Sequence, residues 1–434
     1  MELLKGMLSK ENMRRAYFQV VRNKGSAGVD GMRVEELKPH LQQHWEVIKE
    51  RVQAGRYRPQ AVKGIPIPKR SGGTRMLGIP TVTDRMIQQA IHQVLSPLWE
   101  PEFSQYSYGF RPGKSALQAV EQAQTYINEG FQDIIDLDLK SFFDVVNQDF
   151  LMGLIHRKVK DPMLLKLIRR YLQAGMLAEG VLTERTTGTP QGSPLSPLLS
   201  NIILHELDTE LSRRKLRFVR YADDCSIFLR SRRAAFRTKR NITKFIEGRL
   251  KLKVNNEKTK ICRPVNFVLL SYSFVPTYKK NEIGKYNLRV SPESFSLLRE
   301  KIKVITRKTS PKTFDERITA LTLLTRGWVN YFRLASMNVK LHELDGWTRN
   351  RLRYCIWKQW KKPGRRRRAF IRLGVDEDHA RAWSYSRMGG WRIAQSPITC
   401  GERSRTMGTT ITLERLKQRG YISFSDVYAE LVSV

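Results

Sequence analysis

The sequence predicts an α+β chain whose C-terminal part is helical and strongly basic. Three observations predict it. Segments 133–139 and 217–230 alternate apolar and polar residues with period two. Stretches at 10–22, 82–98, 197–213 and 233–250 repeat apolar residues at helical spacing. Beyond residue 290 the period is helical and the basic content rises, which sets a domain boundary near there.

Residues 10–22 place Ala16, Tyr17, Val20 and Val21 on one helical face, and the glycines of Lys24-Gly25-Ser26-Ala27-Gly28-Val29-Asp30-Gly31 stop that helix in a loop. After Arg56-Tyr57-Arg58-Pro59 comes a hairpin with its tip at Lys69-Arg70-Ser71-Gly72-Gly73-Thr74-Arg75. In 133–139 the alternation puts Asp136 and Asp138 on the same side. Pro190-Gln191-Gly192 reads as a turn before a helix carrying Leu198, Ile202, Leu204 and Leu207. Arg217 to Arg230 reads as a β-hairpin folded around Ala222-Asp223-Asp224. Pro363-Gly364 breaks the basic helix near 360, and Gly389-Gly390-Trp391 with the polar run to Thr412 suggests a loop-rich region. Nothing repeats at fixed period, which excludes solenoids.

Charge narrows the function classes. Lys and Arg total 78 against 41 Asp and Glu, a net +37. Such self-repulsion is relieved by a polyanion, and nucleic acid is the expected one, with membrane surface as the blander partner. No apolar run approaches the roughly 18 residues of a membrane span, and the charged N-terminus does not read as a secretory signal, so a cytoplasmic location is expected. Cys225, Cys262, Cys355 and Cys400 are scattered without a Cys-x-x-Cys pair, arguing against disulfides and zinc. Between Arg349 and Arg372, basic residues include Arg349, Arg351, Arg353, Lys361, Arg365, Arg366, Arg367 and Arg368, and none is acidic. A solvated helix face ordinarily mixes signs, so phosphate contact is expected here.

Tyr221-Ala222-Asp223-Asp224 puts adjacent carboxylates at a hairpin tip between apolar strands. Their repulsion is relieved by a divalent cation with a preference for oxygen, although an Asp-Asp turn alone is a common loop element. Asp138 on a separate strand changes the balance. If the two strands are sheet neighbours, Asp138 meets Asp223 and the pair can hold two metals about 4 Å apart, the geometry of phosphoryl transfer.

Further blocks surround these carboxylates in order. They are Ile67-Pro68-Lys69 through Arg75, Leu77 to Arg85, Ser107-Tyr108-Gly109-Phe110-Arg111-Pro112, Asp136 to Leu139 with Phe142-Phe143-Asp144, Gly188 to Pro197, and Thr325 to Phe332. With Tyr221–Asp224, the set resembles the reverse transcriptases encoded by bacterial group II introns, the intron maturases. It is most similar to the compact form lacking an endonuclease domain.

The resemblance implies a right-hand polymerase fold: fingers and palm with an antiparallel palm sheet over 1–290, a helical thumb (maturase domain X) over 291–372, and a small basic DNA-binding domain over 373–434. It implies catalysis by Asp138, Asp223 and Asp224, and a two-Mg²⁺ metal set of Asp138, Leu139, Asp223 and Asp224; because adjacent residues at a strand tip point apart, Asp224 is expected to support rather than ligate both ions. Lys69, Arg75, Phe143 and Gln191 are expected at the deoxynucleoside triphosphate, Phe143 against the sugar 2′ position. A solvated hairpin charge is the competing reading for Lys69 and Arg75, and a core phenylalanine for Phe143. Trp328, Tyr331 and Phe332 share one helical face and are expected to pack in the core. Nucleic-acid contacts are expected at Lys24, Arg58, Arg111, Arg349, Arg353, Lys361 and Arg365 to Arg368. The implied partners are the parent group II intron RNA, an RNA template with its DNA primer, and target DNA. Rival readings are a related enzyme co-opted for repair or phage defence, and a maturase that binds RNA without polymerising. Three positions depart from the family pattern: Ser193 stands where a second Gly is usual, Leu270-Ser271-Tyr272 where Leu-Gly-Phe is, and Gln148 where His is frequent.

Overall fold

Two strands expected to flank the carboxylates are neighbours in one sheet. A computed structural model describes residues 2–68, 72–278, 280–400 and 411–433, divided into compact units Met1–Phe267 and Val268–Val434. The strands, in chain order, are β1 (Val62–Pro68), β2 (Thr74–Ile79), β3 (Asp133–Leu137), β4 (Met176–Ala178), β5 (Val181–Thr183), β6 (Arg217–Tyr221), β7 (Asp224–Leu229), β8 (Lys260–Cys262), β9 (Val268–Leu269), β10 (Tyr272–Pro276) and β11 (Tyr286–Val290).

The first unit holds two four-stranded sheets, ordered β2-β1-β4-β5 and β6-β7-β3-β8. In the first, β1 and β2 form the expected antiparallel hairpin, from Lys63 opposite Ile79 to Pro68 opposite Thr74. The other neighbour, β4, meets β1 only at Val62 and Lys63, so Pro66 and Pro68 sit where no second ladder asks for an N–H. Every pairing in the second sheet is antiparallel. Its middle is apolar: Ile134, Ile135, Phe218 and Ile227 are fully buried. Helix Ser196–Arg213 lies within the same core through Leu198, Ile202, Leu204 and Leu207, as its spacing predicts.

β3 ends at Leu137, two residues short of expectation. Asp138 and Leu139 leave the ladder for the 254–259 loop: Asn255 N donates to Asp138 O at 2.9 Å, and Thr259 Oγ1 accepts from Asp138 N at 3.1 Å. The physical reason is that β7 begins at Asp224, so beyond Asp138 only the hairpin turn lies opposite β3.

Helix Val82–Trp99 is capped by Thr81, whose hydroxyl accepts from Asp84 N. Asp84 is buried, which raises its carboxyl. Hydrogen bonds from the hydroxyls of Tyr57, Thr81 and Tyr171 and from Gln60 N oppose that rise and tie the base of the β1–β2 hairpin together.

The second unit begins at 268 rather than near 290, because the antiparallel sheet β9-β10-β11 belongs with the helices that follow. Tyr272 Oη donates to Tyr331 O at 2.5 Å, Tyr331 Oη donates to Leu270 O at 2.9 Å, and Ser336 N donates to Leu288 O at 2.9 Å. Helix Phe314–Phe332 packs Trp328 and Phe332 as expected, the indole meeting the rings of Phe295, Phe332 and Phe424, whereas Tyr331 is exposed rather than in the core. Asn338–Gln359 is followed by a separate helix, Pro363–Arg372, the break predicted at Pro363. Among the described residues after 373 the chain is mainly helical, with helices Glu377–Ser384, Gly390–Gln395, Leu413–Gln418 and Phe424–Val432, while residues 401–410 of the polar run expected to be loop-rich lie outside the described residues. Buried Asp345 caps the last of these, accepting from Phe424 N at 2.8 Å and Ser425 N at 2.9 Å. No helix among the described residues is long and apolar enough to cross a membrane.

The departure at Leu270-Ser271 has a measurable cost. β9 and β10 join through these two residues, both left-handed at φ 48° and 70°. Such a turn favours glycine, and a side chain there is strained by about 1 kcal/mol. Ser271→Gly is expected to raise stability by about 0.5 kcal/mol after the added chain entropy. A denaturant midpoint that falls for this variant would contradict the account.

Candidate active site

The acidic hairpin is held from behind by a buried cation. Tyr221 pairs with Asp224, leaving Ala222 and Asp223 as a two-residue turn with Ala222 at φ 56°. Arg220 lies at an inward position of β6 with no exposed surface, and its guanidinium grips Asp208 bidentately at 2.7 and 2.6 Å. Its remaining donor reaches Asn201 Oδ1 and the Ala222 carbonyl, both at 2.9 Å. Asn201 in turn donates to Gly109 O at 3.0 Å. Segment 106–109 runs along β6: Arg220 N donates to Tyr106 O at 2.9 Å and Tyr108 N to Arg220 O at 2.8 Å. Gly109 has to be glycine here, since a Cβ would sit 2.2 Å from Ala222 N. Sequence reasoning missed Arg220, Asp208 and Asn201; the available signal was a charged residue in phase with the apolar Phe218 of β6.

The β3–β7 register places Asp136 opposite Ser226 and Leu137 opposite Cys225, so the next step sets Asp138 beside Asp224 at the turn. Burial, then neighbouring charge, shifts these carboxyls. Asp223 is raised by burial and by Asp138, with Arg75 and Arg220 opposing. Asp224 is pushed up to about 6 by burial and by Asp223, Asp136 and Asp138. Concentrated, partly desolvated negative charge on hard oxygen donors suits a divalent cation. Among the described residues no three acidic, histidine or cysteine side chains form a closed metal cage. Asp138 nevertheless lies close enough to Asp223 and Asp224 to raise both carboxyls, and Asp223 raises Asp224.

A cavity of about 640 Å³ opens on Asp223 and is also lined by Arg75, Phe143 and Gln191. Four elements far apart in sequence thereby meet at one cavity. Lys69 lies outside the described residues. The Gln191 turn is pinned to β2, with Gly78 N donating to Gln191 O at 2.7 Å. Phe143 is fixed by the same stretch, its carbonyl accepting from Thr189 N at 2.7 Å. Two of the departures have structural uses. Buried Gln148 donates to Leu172 O and Gly188 O, fastening the approach to the turn. Ser193 Oγ accepts from Ser196 N at the start of helix Ser196–Arg213. Arg85 also lines the cavity and was not anticipated as a site residue. Its Nη2 donates to Ser26 O, so the 24–31 loop packs against this wall.

The expected nucleic-acid contacts divide. Lys24, Arg58, Lys361, Arg365 and Arg368 are exposed, and Arg349 is half-buried. Arg111 is corrected to a brace: its buried side chain bonds Glu100 and the carbonyls of Ser104 and Ser107. Arg353 is also internal, 3% exposed and donating to Ile411 O. Arg366 lies over the Trp357 ring at 4.0 Å and donates to Trp360 O, while Arg367 pairs with Glu377. Helix packing claims these side chains because their long stems cover apolar surface and nearby carbonyls need donors.

The family described as reverse transcriptase (RNA-dependent DNA polymerase) matches residues 67–286, and the group II intron maturase-specific domain matches residues 296–373. Protein YkfC of Escherichia coli (strain K12) is 30% identical over 272 residues, covering 54% of this chain and 71% of that protein. Group II intron-encoded protein LtrA of Lactococcus lactis subsp. cremoris is 31% identical over 325 residues, covering 71% of this chain and 52% of its own length. An uncharacterized 91 kDa protein in the cob intron of Schizosaccharomyces pombe is 40% identical over 154 residues, covering 36% of this chain and 19% of its own.

Proposed function

This chain belongs to the reverse transcriptase family, with the maturase-specific domain of group II intron proteins behind it, and from that premise we propose how it copies RNA into DNA. The observation that carries the proposal is the single cavity in which Asp223 faces Arg75, Phe143 and Gln191. Asp138 and Asp223, with the Leu139 carbonyl and Asp224 beside them, would hold two Mg²⁺ ions that supply Lewis acidity to the primer hydroxyl and the triphosphate.

The chain's own groups do the positioning. Arg75 offsets the charge of the triphosphate as a forked donor. Gln191 orients the incoming nucleotide from its pinned turn. Phe143 stands against the sugar, where a 2′-hydroxyl has no room. The primer 3′-hydroxyl gives up its proton to water as its oxygen bonds the α-phosphorus and the bond to pyrophosphate breaks in line.

We extend this reading to the wider role of intron proteins: helping the parent intron RNA fold for splicing and copying it at a DNA target, in the bacterial cytoplasm. In it, 1–267 supplies fingers and palm, 268–372 the thumb, and 373–434 the DNA-binding part. Exposed Lys24, Arg58, Lys361, Arg365 and Arg368 are the remaining phosphate contacts.

The direct test is extension of oligo(dT) on poly(rA) by the full chain with Mg²⁺ and dTTP, abolished by chelation. No product under these conditions would refute the polymerase reading. Phe143→Ala is expected to lower discrimination against ribonucleotides on the order of 10- to 100-fold. Unchanged discrimination, measured by competing rNTP against dNTP, removes Phe143 from that role.

A further inference from the structure

We propose that the exposed face of helix Arg232–Gly248 is a docking surface for the phosphate backbone of folded RNA, separate from the catalytic cleft. An open groove of about 980 Å³ lies along this helix. Arg233, Arg237, Arg240 and Lys244 line it at positions i, i+4, i+7 and i+11, a single stripe about 16 Å long at 1.5 Å per residue. All four are exposed, and no carboxylate lines the groove. Among the described residues none of the four has an ion-pair partner. The helix's one acid, Glu247, lies beyond them and outside the groove. A solvated helix face intersperses both signs, and this one does not.

The stripe is also preorganised. The opposite face buries Ala235, Ile242 and Ile246 in the core of the first unit, so the cations are carried on a seated helix. Lys239 fastens its flank, Nζ donating to Thr259 O at 2.6 Å. Three of the four free cations are arginines, whose planar forks match phosphate oxygens. Asn256 is the groove's one side-chain amide, too little to read base edges, so the surface fits backbone shape rather than sequence. A protein partner would look for a desolvated apolar centre. Phe236 is the one exposed aromatic here, and the Arg232 guanidinium lies 5.6 Å from its centroid.

The groove and the cavity at Asp223 share no lining residue. Folded RNA could therefore sit here while a template–primer occupies the cleft. The choice of RNA over DNA rests on the proposed intron-protein reading; the choice of a polyanion does not.

The test uses the full chain carrying Arg233→Gln, Arg237→Gln, Arg240→Gln and Lys244→Gln together. The probe is an RNA hairpin with a stem of about 16 base pairs, long enough to span two minor grooves. Losing four phosphate contacts is expected to reduce the slope of log affinity against log salt by about 3 to 4. Extension of oligo(dT) on poly(rA) is expected to stay within about twofold of the parent chain, which also reports that the variant is folded. A slope reduced by less than one overturns the proposal. So does an equal slope loss on a DNA hairpin of matching sequence, or equal competition by poly-glutamate. Impaired extension at saturating template would join this face to the cleft and overturn the separation. If the parent chain fails to extend primers but the slope difference appears, the polymerase reading falls and the docking surface stands.

Discussion

Asp223→Asn protein is expected to extend primers on the order of a thousandfold more slowly than the parent chain, or not at all. The substitution keeps the shape of the side chain and removes one negative charge from the cluster at the turn. A thousandfold corresponds to about 4 kcal/mol of lost transition-state stabilisation, the scale on which a polymerase site depends on its anionic metal ligands. The loss should fall on turnover, while affinity for template–primer changes little, because the proposed phosphate contacts lie on other residues. Asp223 is held high by burial and by Asp138, so removing its charge also relieves repulsion. The variant is therefore expected to be at least as stable as the parent in denaturant. Low activity with an unmoved or higher unfolding midpoint separates a chemical role from a structural one. Near-normal extension would remove this turn from the reaction.

The second large effect concerns the support behind the turn. Asp208→Ala leaves the Arg220 guanidinium as an unpaired cation with no solvent access, which is expected to cost about 3–5 kcal/mol of stability. Replacing both partners, Arg220→Met with Asp208→Leu, should recover most of that loss, since an apolar pair of similar volume carries no buried charge. Recovery of stability is not recovery of function, however. The double variant still lacks the donor to the Ala222 carbonyl that holds a strained residue beside Asp223. Its extension rate is expected to remain well below the parent's at a restored midpoint. If stability and rate return together, Arg220 acts only as packing. Urea unfolding beside single-turnover extension reads both quantities.

These two cases show where the sequence was legible. The carboxylate turn, the β1–β2 hairpin, the Gln191 turn and Phe143 all sit in short local patterns of strand alternation, turn residues and charged tips. Local pattern, read with the family resemblance, singled out Arg75, Phe143, Gln191 and Asp223, which line one cavity. The Arg220–Asp208–Asn201 cluster was hidden because it joins a strand to a helix through side chains, and no spacing rule announces such a pairing. Arg111 and Arg353 were misread for a related cause. Composition cannot distinguish an arginine serving buried carbonyls from one facing solvent. The helices after 373 were missed because they are short and weakly patterned. They are organised by tertiary contacts such as the Asp345 cap rather than by their own periodicity. The early boundary at 268 has the same origin, since β9 to β11 read as strands either way but pack with helices that follow them.

The backbone pairing of residues 106–108 with Arg220 has a consequence for how the protein behaves at high concentration. An outermost strand with bare amides is a template for neighbouring chains, and a protein this short of bound counter-charge is often purified away from the polymer that keeps it dispersed. Here one margin of the catalytic sheet is already occupied by its own chain, and the other is the three-residue β8. Intermolecular β-addition, a common route to insoluble aggregates, is thereby closed at one side and kept brief at the other.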